Sequence, residues 1–141
     1  MLLMGLYLIS SVMIMQQRIG EWRRAGEIAA DVVEQAKRLY PDVPPESTML
    51  FVALPDQYKQ AYVFLGGGIG GAVYLAYGAR PSAPRAYRAR DPEVVSFLKE
   101  AEPVEHPLPG VYVFLYKDGV LYDRSKVVNS LEPLRTGTWS R

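Results

Sequence analysis

The sequence opens with MLLMGLYLISSVMIMQQ, seventeen residues without a charged side chain. No other stretch constrains the fold as much, because a run of this kind has to leave water. It can do so in a membrane, inside its own domain, or at a contact between copies. A membrane span takes about 20 apolar residues to cross about 30 Å of hydrocarbon. As a helix rising about 1.5 Å per residue, residues 1–15 reach only about 22 Å. The run is therefore a short span, the last part of a span beginning upstream, or a buried helix of the domain or of an oligomer. A signal peptide fits poorly, since no basic region precedes the run and Gln16, Gln17 and Arg18 make no small-residue cleavage site. We read residues 1–17 as a membrane anchor or the end of a span, and residues 18–141 as one domain. A homo-oligomer assembled through this helix is the alternative.

Beyond Arg18 the pattern turns amphipathic. Ile19, Trp22, Ile28, Ala29, Val32, Val33, Ala36, Leu39 and Tyr40 recur at helical spacing, with charged residues between them. The spacing predicts one helix running straight out of the apolar run, with Trp22 and the arginines near a water interface. Pro41, Pro44 and Pro45 end it. Residues 48–54 (TMLFVAL) read as a buried strand, and residues 61–65 as a second apolar strand. Residues 72–77 form a short helix stopped by Gly78, and residues 85–90 (RAYRAR) an extended stretch near a sheet edge. Asp91-Pro92-Glu93 opens another short helix, with an Asp cap, Pro in the first turn and an acid behind it. YVFLY-KDG-VLYD, within residues 112–123, is a hairpin closed at Asp118-Gly119. The chain from Asn129 has no periodic run. These elements predict an α+β domain, with the long helix on a small mixed sheet of four or five strands, two short helices and a C-terminal hairpin.

With 49% apolar and 22% charged residues the chain is a folded domain, and a net charge of +1 gives no electrostatic argument for nucleic acid. The absence of cysteine removes disulfides, thiolate nucleophiles and zinc-cysteine sites. The run GGGIGG contains Gly66-x-Gly68-x-x-Gly71, the spacing of a dinucleotide fingerprint, and Asp91 stands twenty residues beyond it. The following helix is stopped by Gly78 and Pro81 after about two turns. Pro84 opens the strand that would have to be central, and too little chain remains for a doubly wound sheet. Gly66, Gly68 and Gly71 are therefore expected to serve tight turning and close packing. A soluble module that binds a nucleotide or flavin through them is kept as an alternative, and the main reading expects no cofactor.

The order of an apolar helix end, "EW..AG.IA", a proline break, "ALPDQYKQAYVFLGGGIGGAVYLAYG" and the hairpin carries a resemblance. It looks like the soluble domains that follow the last transmembrane helix of polytopic bacterial membrane proteins of the dolichyl-phosphate-mannose mannosyltransferase type. Trp22, Leu54-Pro55-Asp56 and Tyr62-Val63-Phe64 carry it. The resemblance implies an extracytoplasmic accessory domain, with membrane lipid, other membrane subunits or a lipid-linked sugar as partners. The catalytic acids of that family lie in its membrane region, so no catalytic residue is implied here. Against that orientation, Arg18, Arg23 and Arg24 follow the run and nothing basic precedes it. A lone anchor of this kind would leave the domain in the cytoplasm, unless earlier helices set the topology.

Few other residues offer chemistry. His106 with Glu102 and Glu105 lacks metal-ligand spacing and reads as a solvated loop. Asp56 reads as a turn former. Ser47, Ser96 and Ser125 have no elbow or partner histidine. Tyr74, Tyr77, Tyr112 and Tyr116 read as core. Arg80, Arg85, Arg88 and Arg90, around Tyr87, are the best candidate binding group, suited to the phosphates of lipid headgroups, lipid-linked sugars or nucleic acid, though the main reading expects no nucleic acid. On a strand, Arg88 and Arg90 share one face and Arg85 joins Tyr87 on the other. The plainer reading is an arginine strand that protects a sheet edge.

Overall fold

The computed structural model describes residues 2–64 and 68–130. The first helix, α1 (Leu2–Leu39), runs unbroken through the apolar stretch and the amphipathic one. Lys37 and Arg38 in its last turn suit the negative helix end. The Tyr40 amide closes the helix on the Ala36 carbonyl at 3.0 Å, and Pro41 stops it there. Among the described residues, no helix is long and apolar enough to cross a membrane.

The remaining elements are β1 (Thr48–Val52), β2 (Gln57–Tyr58), β3 (Ala61–Tyr62), α2 (Gly68–Ala76), β4 (Arg85–Ala89), α3 (Pro92–Glu100), β5 (Val111–Lys117) and β6 (Val120–Asp123). A 3₁₀ turn follows at Ser125–Val127. The main sheet has the order β4-β1-β5-β6. β1 pairs in parallel with both β4 and β5, and β6 returns antiparallel on β5. The fold is α+β, with a mixed four-stranded sheet and a separate two-stranded ribbon of β2 and β3.

Alternation along the strands builds two cores. Met49, Phe51, Ala86 and Phe114 face Val32 and Ala36 of α1 and Ile69 and Val73 of α2. Phe51 and Phe114 stack with ring centroids 5.0 Å apart. On the other face Leu50, Val52, Ala89, Val113 and Leu115 meet Val94 and Leu98 of α3. Being covered on both sides explains why β1 reads as an unbroken apolar run. The hairpin closes with Asp118 and Gly119 both at positive φ (52° and 83°), the mirror-image turn that matches strand twist. Gln35 ties the hairpin to α1, accepting from the Leu121 amide at 2.7 Å and donating to the Gly119 carbonyl at 3.0 Å.

Two expectations need correction. In the apolar run at 61–65 only Ala61 and Tyr62 are extended, and they pair with β2 rather than with the main sheet. Leu65 lies outside the described residues. The short helix expected from residue 72 begins at Gly68, so Gly68 and Gly71 are helical residues. A β-carbon at either would meet nothing within 4 Å, and at Gly70 it would make an ordinary contact with the Ala86 carbonyl at 3.5 Å. Close packing therefore does not explain Gly68 or Gly71. Gly66 lies outside the described residues, as do residues 131–141.

Candidate functional site

The chain leaves β1 toward α2 on one face of the sheet and leaves β4 toward α3 on the other. Adjacent parallel strands whose connections part in this way open a crevice beyond their carboxyl ends. The residues that fill this crevice are Asp56, Arg88 and Arg90. Val52 ends β1, and Ala53 takes φ 61°, a left-handed conformation uncommon for a side chain with a β-carbon. The turn sends Leu54, Pro55 and Asp56 across the end of β4. There Arg88 is fully buried, with 0% of its surface exposed.

Arg88 donates from Nη1 to Asp56 Oδ1 at 2.6 Å and to the Phe64 carbonyl at 3.4 Å. Its Nη2 donates to the Leu54 carbonyl. Arg90 donates from Nη2 to the same Asp56 oxygen at 2.8 Å. The carboxylate and the Arg90 guanidinium are each about half exposed (51% and 50%), so the buried charge connects to solvent through them. Arg88 Nε is buried and has no hydrogen-bond acceptor among the described residues. Burial, and next the charge of Arg90, pull Arg88 below its usual value, while Asp56 pushes it back up. Two cations on one carboxylate oxygen leave the group one positive charge in excess.

A cleft of about 440 Å³ opens beside this group, lined by Leu54, Asp56, Arg90, Val95, Ser96 and Lys99 among others. Asp91, directly after Arg90, does not line it. Its carboxylate caps α3 by accepting from the Glu93 amide at 2.8 Å.

The four arginines expected to act together are divided. Arg88 and Arg90 meet at Asp56. Arg80 and Arg85 line a second groove of about 460 Å³ along the outer edge of β4, with Tyr74 and Tyr87. β4 stands at the edge of the sheet, with Arg85 exposed, so the edge position read from the sequence is realised there. Asp56 is more than a turn former, since it is the counterion of a buried arginine. Sequence reasoning did not find that pairing. The available signal was an arginine two places from Ala86, on the same side of a strand whose neighbour is apolar from Met49 to Val52.

The strand that precedes the glycine run is β3 of the ribbon, not a parallel strand of the main sheet as a dinucleotide site requires. The parallel strand β1 ends at Val52, and the ribbon lies between it and α2. His106, Glu102 and Glu105 are exposed in a loop, and among the described residues no cluster of acids and histidine could hold a metal. Ser47 donates to the Pro44 carbonyl at 2.7 Å and Ser125 to Asp123 at 2.6 Å, both in turn-stabilising contacts. Tyr77 and Tyr112 pack against the core as expected, and Tyr74 is exposed on α2. The chain matches no family model, no curated protein and no solved structure.

Proposed function

We propose that this chain is a membrane-anchored, non-catalytic domain with a binding or assembly role, held at a lipid surface by the uncharged end of α1. The observation that carries this reading is the exposure of that end. Met4, Leu6, Tyr7, Leu8, Ile9, Val12, Met13, Ile14 and Met15 are all more than half exposed. At about 3.6 residues per turn these positions pass right around the helix. A single partner helix covers one stripe, whereas lipid covers every side. The hydroxyls of Ser10 and Ser11 donate to the Tyr7 carbonyl at 2.9 and 2.8 Å, which satisfies them within their own helix. Trp22 and the arginines at 18, 23 and 24 follow, a composition suited to the headgroup layer.

The uncharged part of α1 extends about 24 Å, short of the about 30 Å of a hydrocarbon layer. The anchoring proposed is therefore insertion to a depth, or completion of a span by further chain. The resemblance to domains of mannosyltransferase-type membrane proteins would attach the role to envelope glycosyl transfer on the extracytoplasmic side.

Flotation with neutral phosphatidylcholine vesicles tests the reading. The full chain should float with the vesicles and stay in the pellet through an alkaline carbonate wash. Recovery as a defined soluble oligomer that ignores vesicles would overturn it and make the helix an interface between copies. A yellow preparation with bound flavin would overturn it in favour of a nucleotide-binding module.

A further inference from the structure

We propose that the cleft beyond the carboxyl ends of β1 and β4 binds a phosphate group, gripped by Arg90 and Lys99 and set in place by the Asp56–Arg88 pair. This goes beyond the membrane reading and does not rest on it, because the cleft and the apolar end of α1 are built from different residues.

The first support is charge. Arg88 and Arg90 both bond a single oxygen, Asp56 Oδ1, and Lys99 lines the same cleft. Two cations therefore share one carboxylate and a third lines the same cleft, an excess of positive charge that an oxyanion would balance. The second is hydrogen-bond supply. A guanidinium carries five N–H donors. Arg90, which lines the cleft, bonds Asp56 through Nη2 and among the described residues has no other acceptor, so its remaining donors are open to a ligand. The cluster is thus short of acceptors as well as of negative charge.

The third support is geometry. Arg88 is immobilised by burial and by two backbone carbonyls, so it fixes Asp56, and Asp56 in turn holds Arg90 at the wall of the cleft. Planar guanidinium groups held in this way suit bidentate recognition of phosphate oxygens. Ser96, exposed on α3 and lining the same cleft, adds a hydroxyl donor. The fourth is position, since ligands of open parallel sheets bind at the point where the connections part. A volume of about 440 Å³ leaves room for a group attached to the phosphate, such as a sugar or a glycerol.

The same chemistry serves a phosphorylated small molecule or a lipid phosphomonoester, and the two sources separate by experiment. The full chain is titrated with inorganic phosphate while amide and arginine side-chain NMR signals are followed. In parallel it is floated with phosphatidylcholine vesicles, with and without phosphatidic acid. The double variant R90Q/K99Q is compared with R80Q/R85Q, which removes the same charge from the other groove. We expect saturable shifts at Arg90, Ser96 and Lys99, weakened at least tenfold by R90Q/K99Q and less than twofold by R80Q/R85Q. Shifts with free phosphate would assign a soluble ligand. Discrimination only on vesicles carrying phosphatidic acid would assign a headgroup.

Equal weakening by both variants would mean general surface charge and overturn the site. So would the absence of any saturable response in both arms. Flotation with neutral vesicles should be the same for wild type and R90Q/K99Q. Its loss in wild type would remove the membrane anchor and leave the phosphate site standing.

Discussion

Arg88 shows how one residue joins the two halves of the sheet's upper edge. Its guanidinium is wholly buried, and its charged acceptor among the described residues, Asp56, comes from the loop after a different strand. Removing one partner of a buried pair leaves the other charge without compensation, at a cost of about 3–5 kcal/mol when both are buried. Asp56 is half exposed, so solvent screens part of that cost. Asp56→Asn should therefore lower stability to urea by about 1–3 kcal/mol, and Arg88→Met in the same background should recover part of the loss. If the double variant is less stable than the single one, the charge is not what Asp56 compensates. A second residue bears on stability at alkaline pH. Tyr77 donates to the Tyr40 carbonyl at 2.7 Å beneath the end of α1, and burial raises it from 10.0 to about 12. Because the folded value lies above the unfolded one, the neutral phenol favours the folded state. This stability is complete below pH 10 and is lost as the pH rises through about 12. Burial pushes Tyr40 and Tyr116 the same way. Urea midpoints should stay flat up to pH 10 and fall toward pH 12, with a shallower fall in Tyr77→Phe; an equally steep fall would clear Tyr77 of the effect.

The elements differ in how openly the sequence announces them, and the reason is the range over which each is specified. α3 is set locally. Asp91, Pro92 and Glu93 supply its cap, first-turn proline and acid, and the carboxylate does accept from the Glu93 amide. Asp91→Ala should cost about 1 kcal/mol in unfolding free energy. Asp91→Asn should cost less, which separates loss of the cap from loss of charge. The hairpin is equally local, since Asp118-Gly119 dictates its turn. The run at 61–65 has strand composition, but strand composition does not choose a partner. Tyr58 and Ala61 stand across the tight turn of the ribbon, and that short-range pairing takes the segment. The first turn of α2, residues 68–71, was not legible as helix, because three of its four residues are glycine, which carries weak helical preference, and the packing of Ile69 and Val73 against the sheet decides it. The cleft beyond β1 and β4 was the least legible part. Its arginines were visible in the sequence, but their division depends on which strand β4 pairs with and on a carboxylate thirty-two residues away from Arg88.

At the scale of the whole molecule, α1 is two elements in one helix. From Glu21 onward it presents Ala25, Val32 and Ala36 to the domain and belongs to its core. From Met4 to Ile19 its large apolar side chains are exposed and add nothing to that core. Folding and attachment should therefore be separable. Lysines at Leu8 and Met13, both exposed and on different sides of the helix, touch no core residue. Substitutions at such positions change stability by no more than about 0.5 kcal/mol, so L8K/M13K should unfold in urea at the wild-type midpoint. In lipid each lysine opposes insertion by up to about 2.5–3.5 kcal/mol, depending on depth. Flotation with neutral vesicles should therefore drop more than tenfold while the domain stays folded. If the same variant instead converts a soluble oligomer into monomers and lowers the unfolding midpoint, the exposed end is covered by other copies of the chain. In that case its attachment to lipid is wrong, while the division of α1 at Gly20 still holds.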